Sequence, residues 1–206
     1  MARDGKPTRD KILNESTALV LENGFAGTSI DQILEKTGIT KGAFFYHFKT
    51  KNALAKALIE KFAKDDLTHL DVFLKETEEL DGDALVKLMH FTQSYIDMMA
   101  ELTDPYPGCL YASYTNEPSH FDEDVKAHIS EAILKWRDEL VKLLNAVLEE
   151  YDFAIDEVDV PSLADHFTVI FEGAFIVSRA LNQADVTAKQ LVHWRNYLNL
   201  LFVPKK

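Results

Sequence analysis

Cysteine is almost absent from this chain: Cys109 is the single one among 206 residues. One cysteine excludes an intrachain disulfide and fits a reducing compartment such as the cytoplasm. Long apolar runs are also missing. The most apolar stretch, residues 167–181, is interrupted by Glu172 and Arg179 and is too short to cross a bilayer. No apolar segment follows a basic region near the N-terminus, so the sequence predicts no signal peptide, no membrane partner and a cytoplasmic location.

Glycine and proline are scarce, at 8 and 6 residues, and helix-forming residues outnumber β-branched runs. This composition predicts an all-α protein, and the length suits one large domain or two smaller ones. Enzyme signatures are missing: we find no G-x-S-x-G, no phosphate-binding glycine loop and no H-E-x-x-H. The seven histidines are dispersed without metal-ligand spacing. We therefore expect no enzymatic activity, no metal and no cofactor.

The net charge of −12 argues at first against a nucleic-acid partner. Its distribution reverses that argument. Residues 1–64 carry 11 Lys and Arg against 7 Asp and Glu, a net of +4, whereas residues 65–206 carry 11 against 27, a net of −16. Such asymmetry is typical of a protein with one basic end that binds nucleic acid. DNA should repel the acidic remainder, which leaves one productive face.

The most informative stretch is residues 28–51, TSIDQILEKTGITKGAFFYHFKTK. Thr28 is placed to cap a first helix, whose apolar residues fall on one face. Gly38 can adopt the left-handed conformation that ends this helix, and Thr40 caps a second helix that runs to about Tyr46. Two short helices joined by a turn that contains glycine form the unit that places its second helix in the DNA major groove.

The second helix begins in a way that suits an anion. Thr40, Lys41 and Gly42 stand at its N-terminus, where unpaired N–H groups and the helix dipole favour phosphate. Gly42 lets a backbone come close at the expense of helix stability. Phe44 and Phe48 are four residues apart and predict the face that packs inward.

The opposite face would expose aromatic side chains. Phe45, Tyr46 and His47 are predicted to point partly outward, which is unfavourable in water unless a partner covers them. Lys51 falls in the first turn of the next helix, where a cation opposes the helix dipole and a bound phosphate would explain it. The alternative for the whole stretch is a helical hairpin inside a core.

In these residues the sequence resembles the tetracycline-repressor (TetR) family of bacterial transcriptional regulators. The string that matches in unbroken register is Gly24, Thr28, Ile30, Ile33, Gly38, Thr40, Lys41, Gly42, Ala43, Phe44, Tyr46, His47, Phe48, Lys51 and Leu54. The family often has a tyrosine where this chain has Phe45, and that hydroxyl commonly reaches a phosphate. Phe45 cannot do so, which leaves stacking on a sugar or a thymine methyl.

The resemblance implies an all-α protein with a three-helix, helix-turn-helix DNA-binding domain over residues 1–48. A larger helical domain, residues 49–206, would bind a ligand and dimerise. The function implied is a homodimeric repressor that occupies a palindromic operator on double-stranded DNA and is released by a small apolar or aromatic effector. The candidate DNA-binding residues are Thr28, Thr40, Lys41, Gly42, Ala43, Phe45, Tyr46, His47, Lys49 and Lys51.

Outside the motif, apolar periodicity predicts helices over residues 8–23, 50–75, 83–103, 109–116, 122–151, 161–182 and 187–203. Residues 104–108 form the clearest break, and residues 152–159 are predicted to be an acidic loop. Residues 1–7 are predicted to form a disordered arm. In that arm, Arg3 and Lys6 either reach a minor groove or a phosphate, or are simply solvated.

The last two predicted helices are apolar nearly all round, so they must be covered on two sides. Packed against the same pair from a second chain, they would form a four-helix interface, and the resemblance also implies this arrangement. Burial inside one monomeric core is the alternative. The candidate dimerisation residues are Ile176, Ala180, Leu191, Trp194, Leu198 and Phe202.

The middle helices are rich in aromatic residues and methionine, which either fill a core or line a cavity for a ligand. The family places its ligand pocket among these helices. The candidate ligand-binding residues are Phe91, Tyr95, Met98, Met99, Tyr106, Cys109, Tyr111, Tyr114, Trp136, Phe167, Phe171 and Phe175.

Cys109 supports a second mechanism. It follows Gly108 at a predicted helix N-terminus, a position that lowers the pKa of a thiol and raises its reactivity. An electrophile- or oxidant-sensing repressor is therefore an alternative, and a small buried apolar role for Cys109 is another. A helical enzyme or binding protein that merely carries the hairpin remains the rival class.

Overall fold

The computed structural model describes residues 5–205, of which 78% are helical. The predicted all-α fold is confirmed. Within the described residues the helices are α1 Lys6–Gly27, α2 Ile30–Thr37, α3 Lys41–His47, α4 Lys51–Glu78, α5 Ala84–Ala100, α6 Leu110–Thr115, α7 Glu123–Glu150, α8 Val160–Leu181 and α9 Val186–Leu201. A short 3₁₀ turn spans Pro118–His120. The prediction for Arg3 lies outside the described residues.

Two short strands were not predicted. Strand β1, Tyr151–Phe153, pairs antiparallel with β2, Phe202–Pro204, in a register that sets Phe153 opposite Phe202. Their ring centroids are 5.2 Å apart. The predictions of an acidic loop from residue 152 and of a helix continuing to residue 203 were wrong at these ends. Strands of three residues have too little alternation to be recognised in a sequence.

The described chain divides into two compact units. The first comprises residues 5–66 and 107–131, and the second comprises residues 67–106 and 132–205. The core of the first unit contains Ile12, Leu13, Ile33, Phe44, Leu54, Leu58, Leu110 and Tyr114, all at most 1% exposed. The core of the second contains Leu88, Phe91, Phe167, Leu191 and Leu198, also at most 1% exposed. The predicted boundary after residue 48 separates DNA binding from ligand binding and dimerisation. It is a functional boundary, and it stays a prediction.

Among the described residues, α8 is the one helix whose length and hydropathy would allow it to cross a membrane. A single such helix is weak support for a membrane span, because the helices of soluble proteins pass the same test. In this chain α8 also carries His166, Glu172 and Arg179. A protein core or a protein interface would account for the apolar residues of α8.

Candidate nucleic-acid interface

Helix α2 is defined by local signals at both of its ends. Ser29 caps it: the Ser29 hydroxyl accepts a hydrogen bond from the Gln32 N–H, and the Gln32 side chain accepts one from the Ser29 N–H. This is a complete capping box. At the other end Gly38 has φ +67°, a left-handed conformation that glycine adopts without strain. Ile33 is fully buried between these ends.

The cap was predicted at Thr28, and that prediction was wrong by one residue. Thr28 is only 1% exposed, and its hydroxyl donates to the Gly24 carbonyl at 2.8 Å. The Thr28 hydroxyl is thus used inside the chain, and a contact of Thr28 with DNA stays a prediction. Thr28 therefore contributes to the end of α1, and Ser29, which is exposed, occupies the capping position.

Helix α3 buries one face, as its spacing predicted. Thr40 caps it by accepting a hydrogen bond from the Ala43 N–H at 3.2 Å. Phe44 is fully buried and Phe48 is 3% exposed, and their ring centroids are 6.0 Å apart. Burying two aromatic rings anchors a helix of only seven residues that could not be stable alone.

The other face of α3 is open. Lys41, Gly42 and Lys49 are exposed, and Tyr46 is 73% exposed. The rings of Tyr46 and His47 meet edge to face with centroids 5.0 Å apart. An aromatic side chain at this level of exposure leaves apolar area in water, which a binding partner would remove.

The remaining candidates on α3 are less accessible. Ala43, Phe45 and His47 are half-buried. The Phe45 ring meets Phe44 edge to face at 5.3 Å, so part of it supports the core. Gly5 lies close to His47, because a Cβ on Gly5 would come within 3.0 Å of the imidazole Cε1.

Lys51 has an internal partner that the sequence did not suggest. Its ammonium donates to the Phe25 carbonyl at 2.5 Å and lies 4.3 Å from the centre of the Phe25 ring. Burial lowers the pKa of Lys51, and the negative charge of Glu117 opposes that shift. These contacts explain a cation in the first turn of α4 without any phosphate. The predicted phosphate contact of Lys51 now competes with this structural role.

Sequence reasoning missed Glu117. Its carboxylate accepts the Phe25 N–H at 2.9 Å and the Ala26 N–H at 2.7 Å, at the junction between α1 and α2. Glu117 is more than 90 residues away in sequence, so no local pattern connects the two. The one signal was Gly24, the residue directly after the predicted helix over residues 8–23, and it has φ +76°.

The candidate ligand residues are divided between the two units. Tyr111 and Tyr114 belong to the first unit, where the Tyr111 hydroxyl donates to the Asp66 carboxylate and the Tyr114 hydroxyl donates to the Ala55 carbonyl, both at 3.1 Å. Burial raises the pKa of both phenols. Both hydroxyls therefore have partners inside this unit, and a contact of either tyrosine with a ligand stays a prediction.

The second unit gathers an aromatic cluster around Tyr95. The Tyr95 ring lies 4.7–5.7 Å, centroid to centroid, from the rings of Phe73, Phe91, Trp136, Phe167 and Phe171. Phe175 contacts Phe171 at 5.7 Å and Tyr106 at 4.9 Å. Most of these rings are buried, whereas Phe73, Tyr106 and Phe171 are half-buried. The predicted aromatic residues in this unit are thus brought together, and Phe73 joins them. The predicted Met98 is half-buried and Met99 is buried.

Cys109 caps α6 by position, with no hydrogen bond from its side chain to the first turn. Its thiol side chain is half-buried. The negative charge of a Cys109 thiolate would add to the factors that raise the pKa of Tyr111. The predicted position at a helix start is therefore correct, while its reactivity stays a prediction.

The predicted dimerisation residues split into two sets. Leu191, Trp194, Leu198 and Phe202 are at most 4% exposed within a single chain. Their burial argues against a direct contact with another chain, and their role in dimerisation stays a prediction. Ile176 is 71% exposed and Ala180 is also exposed.

Helices α8 and α9 expose an apolar surface, most of whose residues were not among the predicted dimerisation residues. Apart from Ile176, the large apolar residues exposed there are Val169, Val177, Leu181, Tyr197 and Leu200. Val169 and Ile176 are seven residues apart, Val177 and Leu181 are four apart, and Tyr197 and Leu200 are three apart, so the members of each pair lie on the same side of their helix. This face, with Ile176, is named the α8/α9 apolar face below.

A helical hairpin with a buried aromatic anchor and an open, partly basic second helix defines the class of helix-turn-helix DNA-binding proteins. Residues 12–58 match the family described as bacterial regulatory proteins, tetR family, and residues 84–194 match the tetracyclin repressor-like C-terminal domain. The chain belongs to the TetR family of bacterial transcriptional regulators, which confirms the resemblance.

The relatives are distant. The HTH-type transcriptional repressor DhaR of Mycobacterium sp. strain GP1 is 26% identical over 63% of this chain and 62% of its own length. The chain thus spans less than two thirds of that repressor. A TetR-family regulator from Agrobacterium tumefaciens has a TM-score of 0.76 at 19% identity, covering 97% of this chain and all of its own. One from Chloroflexus aurantiacus has a TM-score of 0.77 at 22% identity, with 98% and 100% covered.

Proposed function

We propose that this protein is a ligand-responsive transcriptional repressor that binds a palindromic operator as a homodimer in the cytoplasm. The observation that carries the proposal is the open face of α3, where Lys41, Gly42 and Tyr46 are exposed while Phe44 and Phe48 fix the helix from behind. DhaR, a relative, is named a repressor, and another relative is named the negative regulator IcaR. Residues 1–48 would read DNA, and the rest would bind effector and dimerise.

Within this proposal Lys41 reads a base and Lys49 neutralises phosphate. Lys41 stands in the first turn of α3, the part of a recognition helix that usually reaches base edges, and its ammonium can donate to a guanine. Tyr46 and His47 are the other candidates for base contacts. The net of +4 over residues 1–64 supports the orientation of this end toward DNA.

Lys41→Ala should relax the preference at one position in each half-site and cost about 1–3 kcal/mol there. Selection from random DNA, carried out on wild type and variant in parallel, measures this directly. Lys49→Ala is the matched control, since loss of a phosphate contact should weaken all sequences alike and lower the salt slope by about one unit. If Lys41→Ala selects the same motif as wild type, Lys41 contacts phosphate and does not read a base.

The same experiment tests the rival class. A helical enzyme or ligand carrier predicts no sequence enriched over the starting pool and no gel shift that survives excess competitor DNA. A repressor predicts both, together with a motif of two-fold symmetry.

The effector is proposed to bind at the aromatic cluster around Tyr95. Its half-buried members, Phe73, Tyr106 and Phe171, supply partly accessible surface. An apolar or aromatic molecule suits such a lining. It would release DNA by binding better to the form in which the two reading helices are wrongly spaced, so its effect is limited by that difference in affinity.

Cys109 carries the alternative mechanism of induction, and Cys109→Ser separates the two. The substitution nearly preserves size and removes the nucleophile. Under the non-covalent mechanism, release from operator should stay nearly intact; under thiol sensing it should be abolished. We favour the non-covalent mechanism, because a chain with one cysteine has no second thiol to resolve an oxidised one. Release of wild type by a thiol-reactive compound, reversed by reductant and absent in the variant, would overturn that choice.

A further inference from the structure

The junction between α1 and α2 contains a break that exposes backbone donors. Gly24 has φ +76° and ψ 164°, outside the helical region, although helical residues flank it. N–H groups that follow such a break lack the carbonyl partners of an unbroken helix, as at any helix start. Here they belong to Phe25 and Ala26, directly before the helix-turn-helix.

One side chain satisfies both donors. The two oxygens of Glu117 accept the Phe25 and Ala26 N–H groups at 2.9 and 2.7 Å. Hydrogen bonds to a carboxylate are stronger than neutral ones, and a pair in this arrangement fixes direction as well as distance. A Cβ at Gly24 would lie 2.6 Å from a Glu117 oxygen, so glycine is needed for the approach as well as for its conformation.

Glu117 is itself held firmly. Its N–H donates to the Tyr114 carbonyl at 3.1 Å, just after α6. The Tyr114 ring stacks on Phe121 at 4.0 Å, and the Phe25 ring packs on Phe121 at 4.8 Å. On the other side of the junction, the Lys51 ammonium binds the Phe25 carbonyl. Two oppositely charged side chains therefore hold the junction: Glu117 binds its N–H groups, and Lys51 binds the Phe25 carbonyl.

We propose that Glu117 is a positioning residue for operator binding: it fixes the α1–α2 junction and thereby the orientation of α2 and α3. The inference rests on the proposed DNA-binding function and deepens it. The segment 107–121, which follows the DNA-binding motif by more than 50 residues, would be part of the machinery that sets operator affinity.

Charge and position make opposite predictions for Glu117→Gln. Loss of a negative charge from a DNA-binding unit should strengthen binding to every DNA sequence slightly. Glutamine, however, offers one carbonyl oxygen and points an NH₂ donor at the second N–H, so the junction is held at one point instead of two. We expect operator affinity to fall about tenfold, while affinity for non-specific DNA stays equal or rises.

The readout is the ratio of operator affinity to non-specific affinity, measured by fluorescence anisotropy. Glu123→Gln is the matched control: it removes the same charge from the same unit, where Glu123 is exposed and forms an ion pair with Lys126. That control should bind both DNAs at least as well as wild type. A variant that is merely destabilised would lose both affinities in proportion to its unfolded fraction.

Glu117→Asp keeps the charge and shortens the side chain by one methylene, so it tests position alone and serves if the glutamine variant does not fold. It should also lose operator affinity, by several-fold. Wild-type operator affinity retained in Glu117→Asp, or in folded Glu117→Gln, would overturn the inference. Failure of wild type to select any operator would instead reject the proposed function.

Discussion

Ile176→Asp should convert the proposed dimer into a folded monomer that has lost nearly all operator affinity. In a single chain Ile176 is 71% exposed, so aspartate there costs little in the monomer. In a four-helix interface built from the α8/α9 apolar face, the same carboxylate would be buried without a partner, at a cost of several kcal/mol. Each 1.4 kcal/mol changes the dimerisation constant about tenfold. A palindromic operator needs two reading helices, so its affinity falls with the dimer.

Two controls make this result specific. Leu198→Asp places the charge in the chain's own core, at 0% exposure, and should unfold the protein. Val72→Asp introduces the same charge on α4, at a site 45% exposed and outside the α8/α9 apolar face, and should leave a wild-type dimer. Light scattering gives the mass, and circular dichroism gives the helix content. An Ile176→Asp protein that remains dimeric and binds its operator would mean that the dimer forms elsewhere.

These two positions also show what periodicity can and cannot decide. The sequence predicts that α8 and α9 need cover on two sides, because apolar residues lie on more than one side of each helix. It does not say which side is covered by the same chain. Ile176 and Leu198 are equally apolar, and only the packing of α9 against α5 and α8 assigns Leu198 to the core.

The helix-turn-helix was predictable because its signals are local. The Gly38 turn and the Phe44–Phe48 pair lie within a few residues of what they determine. The cap of α2 was misplaced because Thr28 and Ser29 are both good capping residues. Burial of Thr28 beneath the end of α1 decides between them, and that is a tertiary effect. Glu117 is the extreme case, since nothing near it in sequence anticipates Phe25 as its partner.

The aromatic residues were identified as a set, but composition cannot assign each of them to one of the two units, or to a core or a ligand site. Tyr111 and Tyr95 have the same side chain and the same helical context. One hydroxyl is bound to Asp66 in the first unit, while the other residue is the centre of the second unit's cluster. Whether that cluster is a filled core or the wall of a ligand site is a question of packing density, which substitution can measure.

Phe167→Ala should lower the free energy of unfolding by about 3–5 kcal/mol if the cluster is a filled core. Phe167 is fully buried, and its ring lies within 6.5 Å, centroid to centroid, of Phe91, Tyr95, Trp136, Phe171 and Trp194. Removing it would leave a cavity that rigid neighbouring rings cannot close. Denaturant unfolding at one fixed protein concentration, with the slope m unchanged, gives the difference.

Phe171→Ala is the matched comparison, because Phe171 belongs to the same cluster and is only half-buried. The proposed effector site predicts a smaller loss of stability for Phe171→Ala and a larger loss of response to an aromatic effector, since its ring already borders accessible space. A loss within about 1 kcal/mol for Phe167→Ala as well, far below the usual cost of a Phe→Ala cavity, would show that both rings border space that is already open. The ligand site would then reach the centre of the cluster, and Tyr95 would be in contact with the effector rather than behind the residues that touch it.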